Sequence, residues 1–364
     1  MAKAYKDALD IPVIATGTIK DPDWAEQMLK EGICDFVAIG RGHIADPEFM
    51  NKTREGRVDE IRKCIGCLYC RERVLGNALP IRCTVNACAG REYEFGDLPL
   101  DGYGETVAVI GGGPAGMEAA RVLALRGFHV ELFEKEDKLG GTMNLADKPP
   151  FKDKITRLIE TMEAQLGKLD VAIHTGKAVT PAEIEALDPD GVILAVGALP
   201  VVPPLPGIDG SNVVKAEEVI RGDAEVTGDV VIVGSGLTGI ETAEILCEKG
   251  HKVTVVEMLP AIGPGIFPNV LNDELSRIKE ATLLPGHKLL SVEADGVNVE
   301  AEDGTKKIAA DTVVLALGVK ADEETVAAFR EVFPDARAIG DAKQGGRIVT
   351  AMKEGFEAGY TFTC

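Results

Sequence analysis

Five of the eight cysteines lie close together, between Cys64 and Cys88. Three of them have the spacing Cys64-x-x-Cys67-x-x-Cys70, and Cys83 follows after twelve further residues. Short loops let three thiolates converge while a remote one closes the site, which suits a [4Fe-4S] cluster. Zinc bound by four cysteines is the main alternative, although zinc sites usually use two separate Cys-x-x-Cys pairs, and unreactive thiols are the third. We expect a cluster on Cys64, Cys67, Cys70 and one of the more distant cysteines.

A glycine-rich turn provides a second kind of chemistry. Gly111-x-Gly113-x-x-Gly116 lies between an apolar run of strand length, residues 107–110, and a helix-like run with small residues. The first glycine permits the tight turn, the second lets backbone amides approach a pyrophosphate, and the third lets the helix pack on the strand. Glu134 ends the next strand-like run, where a carboxylate can accept hydrogen bonds from an adenosine ribose.

The same pattern recurs about 120 residues later. Gly234-x-Gly236-x-x-Gly239 follows an apolar run, and Glu257 has the same offset from its first glycine as Glu134 has in the first copy. A single glycine pattern is often an ordinary loop, but two complete copies with a strand before and an acid after each favour two dinucleotide sites.

Composition limits the partners. The 364 residues include 39 basic and 59 acidic ones, so the net charge is −20, which disfavours nucleic acids and anionic membranes. No apolar stretch reaches the length of a membrane span, and the first residues lack the apolar centre of a signal peptide. We therefore expect a cytoplasmic protein, in which clustered cysteines favour metal over disulfides.

The N-terminal residues have the pattern of two strands flanking a helix. Residues 11–17 and 35–41 are strand-like, and residues 23–32 form an amphipathic run between them. Gly17, Gly40 and Arg41 stand at the strand ends, where open backbone and a guanidinium suit a phosphate. An ordinary strand–helix edge is an equal alternative.

These segments resemble a known family. Thr16-Gly17, residues 38–42 and residues 45–49 resemble the last two βα units of the FMN-binding TIM barrel of the old yellow enzyme superfamily. The resemblance assigns Gly17, Gly40 and Arg41 to the FMN phosphate. It also implies that the first six barrel units are absent from this sequence, and we expect it to be N-truncated.

The cysteine segment is similar to the cluster-binding linker of the multidomain branch of that superfamily. This branch includes 2,4-dienoyl-CoA reductase, enoate reductases and trimethylamine dehydrogenase. In several members the third cysteine falls one residue later than Cys70. Cys83, which opens the phrase Cys-Thr-Val-Asn, matches the fourth ligand, and Cys88 matches none. The resemblance thus implies a cluster on Cys64, Cys67, Cys70 and Cys83, with no ligand role for Cys88.

The C-terminal residues 338–355 resemble the flavin-closing motif of flavoproteins with two dinucleotide domains. The resemblance implies that Asp341 meets the ribityl chain of FAD; an ordinary helix N-cap is the alternative. The pair Gly140-Gly141 would let backbone reach the flavin pyrophosphate. No redox-active cysteine pair follows it, so we expect no disulfide reduction.

Two sets of nucleotide ligands follow from these patterns. The expected FAD ligands are Gly111, Gly113, Pro114, Ala115, Gly116, Glu134, Lys135, Gly140, Gly141, Gly197, Gly340 and Asp341. The expected NAD ligands are Gly234, Gly236, Leu237, Thr238, Gly239, Glu257 and Gly318. No catalytic side chain is expected, because the cofactors carry the chemistry.

The sequence therefore predicts an α/β fold with two Rossmann-like domains. The expected segments are a barrel remnant over 1–55, an iron-sulfur linker over 56–103, an FAD domain over 104–228 and 312–364, and an NAD domain over 229–311. Hydride would pass from NADH to FAD and single electrons to the cluster, and in the full-length family to FMN for reduction of an activated C=C bond. The final electron acceptor stays open, and the missing barrel or an oligomer is a further expected partner.

Two alternative functions use the same motifs. In trimethylamine dehydrogenase the corresponding region holds ADP and is structural, and the first fingerprint fits ADP as well as FAD. A stand-alone electron-transfer subunit, similar to the small subunit of glutamate synthase, is the second alternative. The Asp341 motif and the intact second fingerprint favour FAD with NADH.

Overall fold

Two five-stranded parallel sheets contain the two glycine fingerprints. The computed structural model describes residues 1–363; Cys364, one of the scattered cysteines, lies outside the described residues. The chain divides into two units. The first comprises residues 1–143, 154–197 and 323–364, and the second comprises residues 144–153 and 198–322.

The N-terminal part of the first unit consists of short elements. They are α1 (Ala2–Ala8), β1 (Ile14–Thr16), α2 (Pro22–Lys30), β2 (Phe36–Ala38), α3 (Gly40–Ala45), α4 (Phe49–Arg54), a 3-10 turn (Val58–Glu60), α5 (Tyr69–Arg71) and a π-helical turn (Glu72–Gly76). The amphipathic run expected over residues 23–32 is thus α2, which begins at a proline capped by Asp21.

The first nucleotide domain follows. Its elements are β3 (Thr106–Ile110), α6 (Pro114–Leu125), β4 (His129–Phe133), α7 (Met143–Ala146), α8 (Asp153–Leu166), β5 (Val171–His174), α9 (Pro181–Glu185) and β6 (Gly191–Leu194). Residues 107–109 of β3 are fully buried, as expected for a strand covered on both faces of a parallel sheet.

The second unit carries the second copy. Its elements from residue 198 onward are β7 (Ala198–Pro200), β8 (Val213–Lys215), α10 (Ala216–Arg221), β9 (Val230–Val233), α11 (Leu237–Glu248), β10 (Val253–Glu257), α12 (Pro268–Arg277), β11 (Thr282–Pro285), β12 (Lys288–Glu293), β13 (Gly296–Ala301), β14 (Gly304–Ala309), β15 (Thr312–Leu315) and β16 (Val319–Ala321).

The chain then returns to the first unit. The remaining elements are α13 (Glu323–Val332), β17 (Arg337–Ala338), a 3-10 turn (Gly340–Ala342) and α14 (Ile348–Tyr360). The first sheet has the order β17-β6-β3-β4-β5, and the second has the order β11-β10-β9-β15-β8. This arrangement confirms the expected α/β fold with two parallel, Rossmann-like sheets.

The unit boundaries differ from those expected at residues 229 and 311. Strand β15 was expected to belong to the FAD domain, but Thr312 and Val313 pair with Val230 and Val231 of β9. On its other side β15 pairs with β8. Because β15 and β8 complete the second sheet, residues 198–228 and 312–322 belong with the second fingerprint. Residues 1–103, expected as two separate segments, group with the first nucleotide domain.

The N-terminal strands form a sheet of their own. Strands β1 and β2 are parallel partners, with Thr16 opposite Ala38. They have no further strand neighbour in the described residues. Ile14 and Phe36 expose about 60% of their surface (62% and 58%). Open strand edges with exposed apolar side chains are what two units of a larger closed barrel would present.

Helix α14 packs closely against α6, the helix of the first fingerprint. A side chain at Gly355 would collide with the carbonyl group of Ala115, and one at Gly359 would approach Val122 Cβ to 2.7 Å. Glycines at this spacing let the two backbones come together. None of the helices within residues 1–363 is both long enough and apolar enough to span a membrane.

A buried ion network joins the residues before the cysteines to α6. Arg62 Nη2 lies 2.5 Å from Glu118 Oε2, and Arg121 Nη2 lies 2.8 Å from Glu118 Oε1. Arg62 also donates to the carbonyl oxygen of Val85. Burial alone would raise the pKa of Glu118, but the two guanidinium groups outweigh it and lower the pKa to about 2.

We predict that Glu118→Gln destabilises the first unit by about 3 kcal/mol, because it leaves two arginines facing a neutral amide. Denaturant unfolding followed by circular dichroism measures the change. The pKa of Glu118 lies below its ordinary value of 4.5, so its contribution is complete above pH 4.5 and is lost as the pH falls through about 2. Glu94→Gln, which breaks the exposed pair with Arg91, is the control and should change stability by less than about 0.5 kcal/mol. Equal effects of the two variants would contradict the prediction.

Candidate functional site

The first fingerprint forms a loop between β3 and α6. Gly113 is the N-cap of α6, so the first-turn amides of that helix point into the loop. A side chain at Gly116 would collide with the carbonyl oxygen of Gly111. The third glycine of the pattern is therefore required by the close contact of helix and strand, as the sequence predicted.

Glu134 lies directly beside this loop. It follows β4 and is 5% exposed. Its Oε2 accepts a hydrogen bond of 2.7 Å from the amide of Gly112, and its Oε1 accepts one of 2.9 Å from the amide of Glu136. The carboxylate is thus fixed at the end of the strand, beside the glycine loop.

The glycine pair expected at the flavin pyrophosphate also reaches the loop. The amide of Gly140 donates to the carbonyl oxygen of Gly112 over 2.9 Å. A Cβ on Gly141 would lie 2.9 Å from the Cα of Gly113. The structure therefore brings Gly140 and Gly141 against the first fingerprint, although 23 residues lie between Gly116 and Gly140 in the chain.

The C-terminal turn closes against the same helix. A Cβ on Gly340 would lie 2.9 Å from Ala115 Cβ, which places this turn at the start of α6. The Gly340 amide donates to Glu354 over 2.8 Å, and the Gly346 amide donates to Asp341 Oδ1 over 2.9 Å. Burial raises the pKa of Asp341. These contacts bring Asp341 and the first fingerprint together within the first unit.

The second fingerprint has the same construction in the second unit. Gly236 is the N-cap of α11, and a side chain at Gly239 would collide with the carbonyl oxygen of Gly234. Glu257 ends β10 and accepts hydrogen bonds from the amide and hydroxyl of Ser235, over 3.0 and 2.7 Å.

The electrostatics of Glu257 follow from these contacts. Burial would raise its pKa, but hydrogen bonds from the Leu259 amide and from Ser235 outweigh burial and lower the pKa. The carboxylate is therefore charged at neutral pH, beside the glycine loop of the second unit.

The four predicted cluster ligands line one pocket. Its empty volume is about 330 Å³, part of it open to solvent. The lining residues are Arg41, Ile44, Cys64, Ile65, Cys67, Leu68, Cys70, Cys83, Thr84 and Val85. Cys88 is not among them. Within residues 1–363, no three or more His, Cys, Asp or Glu side chains surround a point suited to a single metal ion. The fit of a cluster therefore rests on four thiol ligands that share one pocket.

The thiols differ in their surroundings. Burial raises the pKa of Cys83 to about 11 and also raises the pKa of Cys70. Cys67 Sγ lies 3.1 Å from Thr84 Oγ1. Burial raises the pKa of Cys88 to about 11 as well, but this thiol lies near Glu118 and Arg121. Cys88 therefore belongs to the buried ion network and not to the cysteine pocket.

Two basic residues near the cysteines come from the segments that follow the N-terminal strands β1 and β2. Arg41, expected at the FMN phosphate, lines the cysteine pocket. Lys20, which the sequence analysis did not single out, acts electrostatically on Cys64 and Cys67. Gly17 and Gly40 follow β1 and β2, whose parallel pairing brings both strand ends to one edge. The cysteine pocket thus lies beside the edge at which a phosphate was expected.

A third basic residue connects the cysteine loop to the C-terminal turn. Arg347, the N-cap residue of α14, forms a two-pronged ion pair with Glu72, with distances of 2.9 and 3.0 Å. Its guanidinium carbon also lies 5.4 Å from the centre of the Tyr69 ring. Because Tyr69 precedes Cys70 and Arg347 follows the Asp341 turn, this contact joins two parts of the predicted redox site.

The other expected nucleotide residues occupy the ends of the same elements. Pro114 and Ala115 begin α6, Leu237 and Thr238 begin α11, and Lys135 is exposed after Glu134. Gly197 is the last residue before the chain enters the second unit, whereas Gly318 lies within the second unit. Their contacts with nucleotides remain predictions.

Comparison with known proteins identifies the family. Residues 105–347 match the pyridine nucleotide-disulphide oxidoreductase family. The chain belongs to this family. Residues 1–60 match the NADH:flavin oxidoreductase / NADH oxidase family. The combination confirms the resemblance to the 2,4-dienoyl-CoA reductase, enoate reductase and trimethylamine dehydrogenase group. Both family descriptions imply flavin and NAD(H) as cofactors.

Several curated proteins are similar over almost the whole chain. An NADH oxidase from Thermoanaerobacter brockii is 39% identical and aligns with 99% of this chain and 57% of its own length. A bilirubin reductase from Mediterraneibacter gnavus is 36% identical, over 98% of this chain and 56% of its own. A cinnamate reductase from Clostridium sporogenes is 34% identical, over 97% and 53%. The chain therefore spans little more than half the length of these relatives.

Solved structures show the same relationship. A 2-naphthoyl-CoA reductase in complex with 2-naphthoyl-CoA matches 99% of this chain and 56% of its own, with a TM-score of 0.94 and 29% identity. A 6-hydroxypseudooxynicotine amine oxidase from Pseudomonas geniculata matches 100% of this chain and 58% of its own, with a TM-score of 0.90 and 26% identity.

We predict that Cys67→Ser removes bound iron and sulfide, whereas Cys88→Ser leaves both unchanged. Cys67 lines the shared pocket, while Cys88 lies in the ion network beside Glu118. Iron and sulfide analysis after anaerobic reconstitution measures the difference. Loss of iron from Cys88→Ser with retention in Cys67→Ser would show that the ligand assignment is wrong.

We also predict that NADH reduces the flavin at least about tenfold faster than NADPH, because the Glu257 carboxylate repels a 2′-phosphate. Glu257→Gln removes this charge and should narrow the ratio, as measured by stopped-flow flavin reduction with each nucleotide. Glu248→Gln, at the exposed C-terminal end of α11 in the same unit, is the control and should keep the wild-type ratio. Faster reduction by NADPH in the wild type would contradict the assignment.

Proposed function

We propose that this chain is the NADH-oxidising and electron-transferring portion of a flavin and iron-sulfur oxidoreductase. The observation that carries the proposal is that four cysteines share one pocket in the same unit as the first nucleotide fingerprint. Bound FAD would accept a hydride from NADH and release electrons singly, which an iron-sulfur cluster can take one at a time.

The residues of the first unit would hold FAD by backbone and carboxylate contacts. The amides that begin α6 would face the pyrophosphate, Glu134 would accept from the ribose, and the Asp341 turn would meet the ribityl chain. Glu134 and Asp341 each accept a hydrogen bond from a backbone amide, which fixes the two carboxylates in position. This preorganisation supports FAD and not only ADP, because ADP needs no Asp341 turn.

The four cysteines would hold a [4Fe-4S] cluster. Four thiol ligands in one pocket fit a cubane, and the pair of Arg347 with Glu72 joins the cysteine loop to the Asp341 turn. This contact gives the first unit a continuous structural connection between the proposed flavin and cluster sites.

The second unit would bind NADH. Its fingerprint repeats the geometry of the first, and Glu257 carries the negative charge that favours a ribose with a free 2′-hydroxyl. Where the rest of an FMN-binding barrel is also present, as the greater length of the relatives suggests for them, we propose that electrons continue to FMN and to an unsaturated substrate. The named relatives include a cinnamate reductase, a bilirubin reductase and a 2-naphthoyl-CoA reductase, which supports reduction of a conjugated double bond.

The chain alone should oxidise NADH with ferricyanide and leave an activated alkene unchanged. In this reaction NADH and two ferricyanide ions give NAD⁺, one proton and two ferrocyanide ions. Cinnamate should not be consumed, because most of the FMN-binding barrel of the family is not in this sequence. Absorbance at the ferricyanide band and chromatography of cinnamate provide the two measurements.

Two matched glycine variants separate the sites. Gly116→Val closes the first fingerprint and should remove bound FAD, whereas Gly239→Val closes the second and should retain FAD but lose NADH oxidation. Flavin reduced by dithionite in Gly239→Val should still be reoxidised by ferricyanide. A purified wild-type chain that contains ADP without flavin would overturn the proposal, and so would NADH-dependent alkene reduction by the chain alone.

A further inference from the structure

Lys20 is a basic residue that no carboxylate neutralises. It follows the buried Ile19 in the segment after β1 and is itself half-buried. Within residues 1–363 it forms no hydrogen bond or ion pair. The neighbouring Lys63 differs, because its ammonium lies 2.5 Å from Asp21 Oδ2. A partly desolvated cation without a counter-ion indicates that an anion belongs beside it.

The position of Lys20 relative to the cysteines identifies that anion. Its Nζ lies 3.2 Å from the point where a Cβ on Gly66 would be. Gly66 has φ +77° and lies within the Cys64-x-x-Cys67 turn. The absence of a side chain at Gly66 therefore leaves room for the ammonium group against the turn that carries two of the four cysteines.

The charged groups around Lys20 also indicate that its ammonium group lies close to the cysteines. Burial lowers the pKa of Lys20, and Arg41 and Lys154 add to this, while the thiolates of Cys64 and Cys67 raise it. The cysteines are thus the groups that favour the charged ammonium. Arg347, another cation near this loop, is already paired with Glu72.

A cluster held by four thiolates carries net negative charge, and each electron that it accepts adds one more negative charge. A nearby fixed cation therefore favours the reduced form, and charge close to a cluster is one of the properties that set its reduction potential. No bond forms or breaks in this step: the cluster gains one electron from reduced flavin and returns it to a one-electron acceptor.

We propose that Lys20 raises the reduction potential of the cluster on Cys64, Cys67, Cys70 and Cys83, and so controls how readily the cluster accepts electrons from the flavin. This inference rests on the proposed function, because it requires the cluster. It gives the N-terminal strand segment a role in the electron-transfer chain besides the phosphate contacts expected of Gly17 and Arg41.

The test is a redox titration of the whole chain, reconstituted anaerobically and followed by the electron paramagnetic resonance signal of the reduced cluster. Lys20→Gln should shift the ratio of reduced to oxidised cluster about tenfold toward the oxidised form at a fixed potential. For a one-electron couple this corresponds to a midpoint potential about 59 mV lower. Lys20→Arg keeps the charge and should stay close to the wild type.

Lys168→Gln is the matched control, because Lys168 is an exposed lysine of the same unit paired with Asp59 and Glu60. It should leave the potential unchanged. A Lys20→Gln protein with full iron and an unchanged potential would overturn this inference alone. Lys20→Met provides a second neutral variant. Loss of the cluster in both neutral variants but not in Lys20→Arg would overturn it in favour of a structural role. A wild-type chain without iron and sulfide would overturn the proposed cluster itself.

Discussion

The buried contact between Arg62 and Glu118 connects the cysteine segment to the nucleotide-binding domain. Arg62 lies two residues before Cys64, and Glu118 lies in the helix that begins at the first fingerprint. Both side chains are almost completely buried, at 7% and 1% exposure. A charge in such surroundings needs its partner, so the pair fixes the start of the cysteine segment against that helix. The position of the cysteine pocket relative to the first nucleotide loop depends on this contact.

The two repeated glycine fingerprints could be predicted from the sequence. Both fingerprints, their acids and the strands around them follow from local patterns of glycine and apolar residues, because the pyrophosphate loop imposes the same backbone in each copy. The structure places Glu134 and Glu257 in equivalent positions, each accepting a hydrogen bond from the residue after the first glycine. The spacing predicted Cys64, Cys67 and Cys70 as a triplet with one distant partner, whereas the family resemblance selected Cys83 and not Cys88 as that partner.

The sequence could not predict contacts between distant segments. The apolar sequence of strand β15 would suit a buried position in either sheet. Only its pairing with β9 and β8 assigns it to the second unit. Lys20 and Arg347 carry no motif of their own. Lys20 lies against the turn at Gly66, and Arg347 contacts Tyr69 and Glu72. In both cases the partners lie far away in the chain. Long-range pairing of single charged residues leaves no local pattern.

The pairing of β7 with β16 affects how the first unit can assemble. In the sheet of the first unit, β6 lies beside β17, although residues 195–336 separate the two strands in the chain. Joining the ends of so long a flexible segment would cost conformational entropy. In the second unit, however, Ala198 and Ala321 are direct partners in an antiparallel pair. Once that unit has folded, the long insertion has its two ends side by side, and only residues 195–197 and 322–336 remain to connect β6 with β17. The inserted domain thereby shortens the effective chain of the domain that it interrupts.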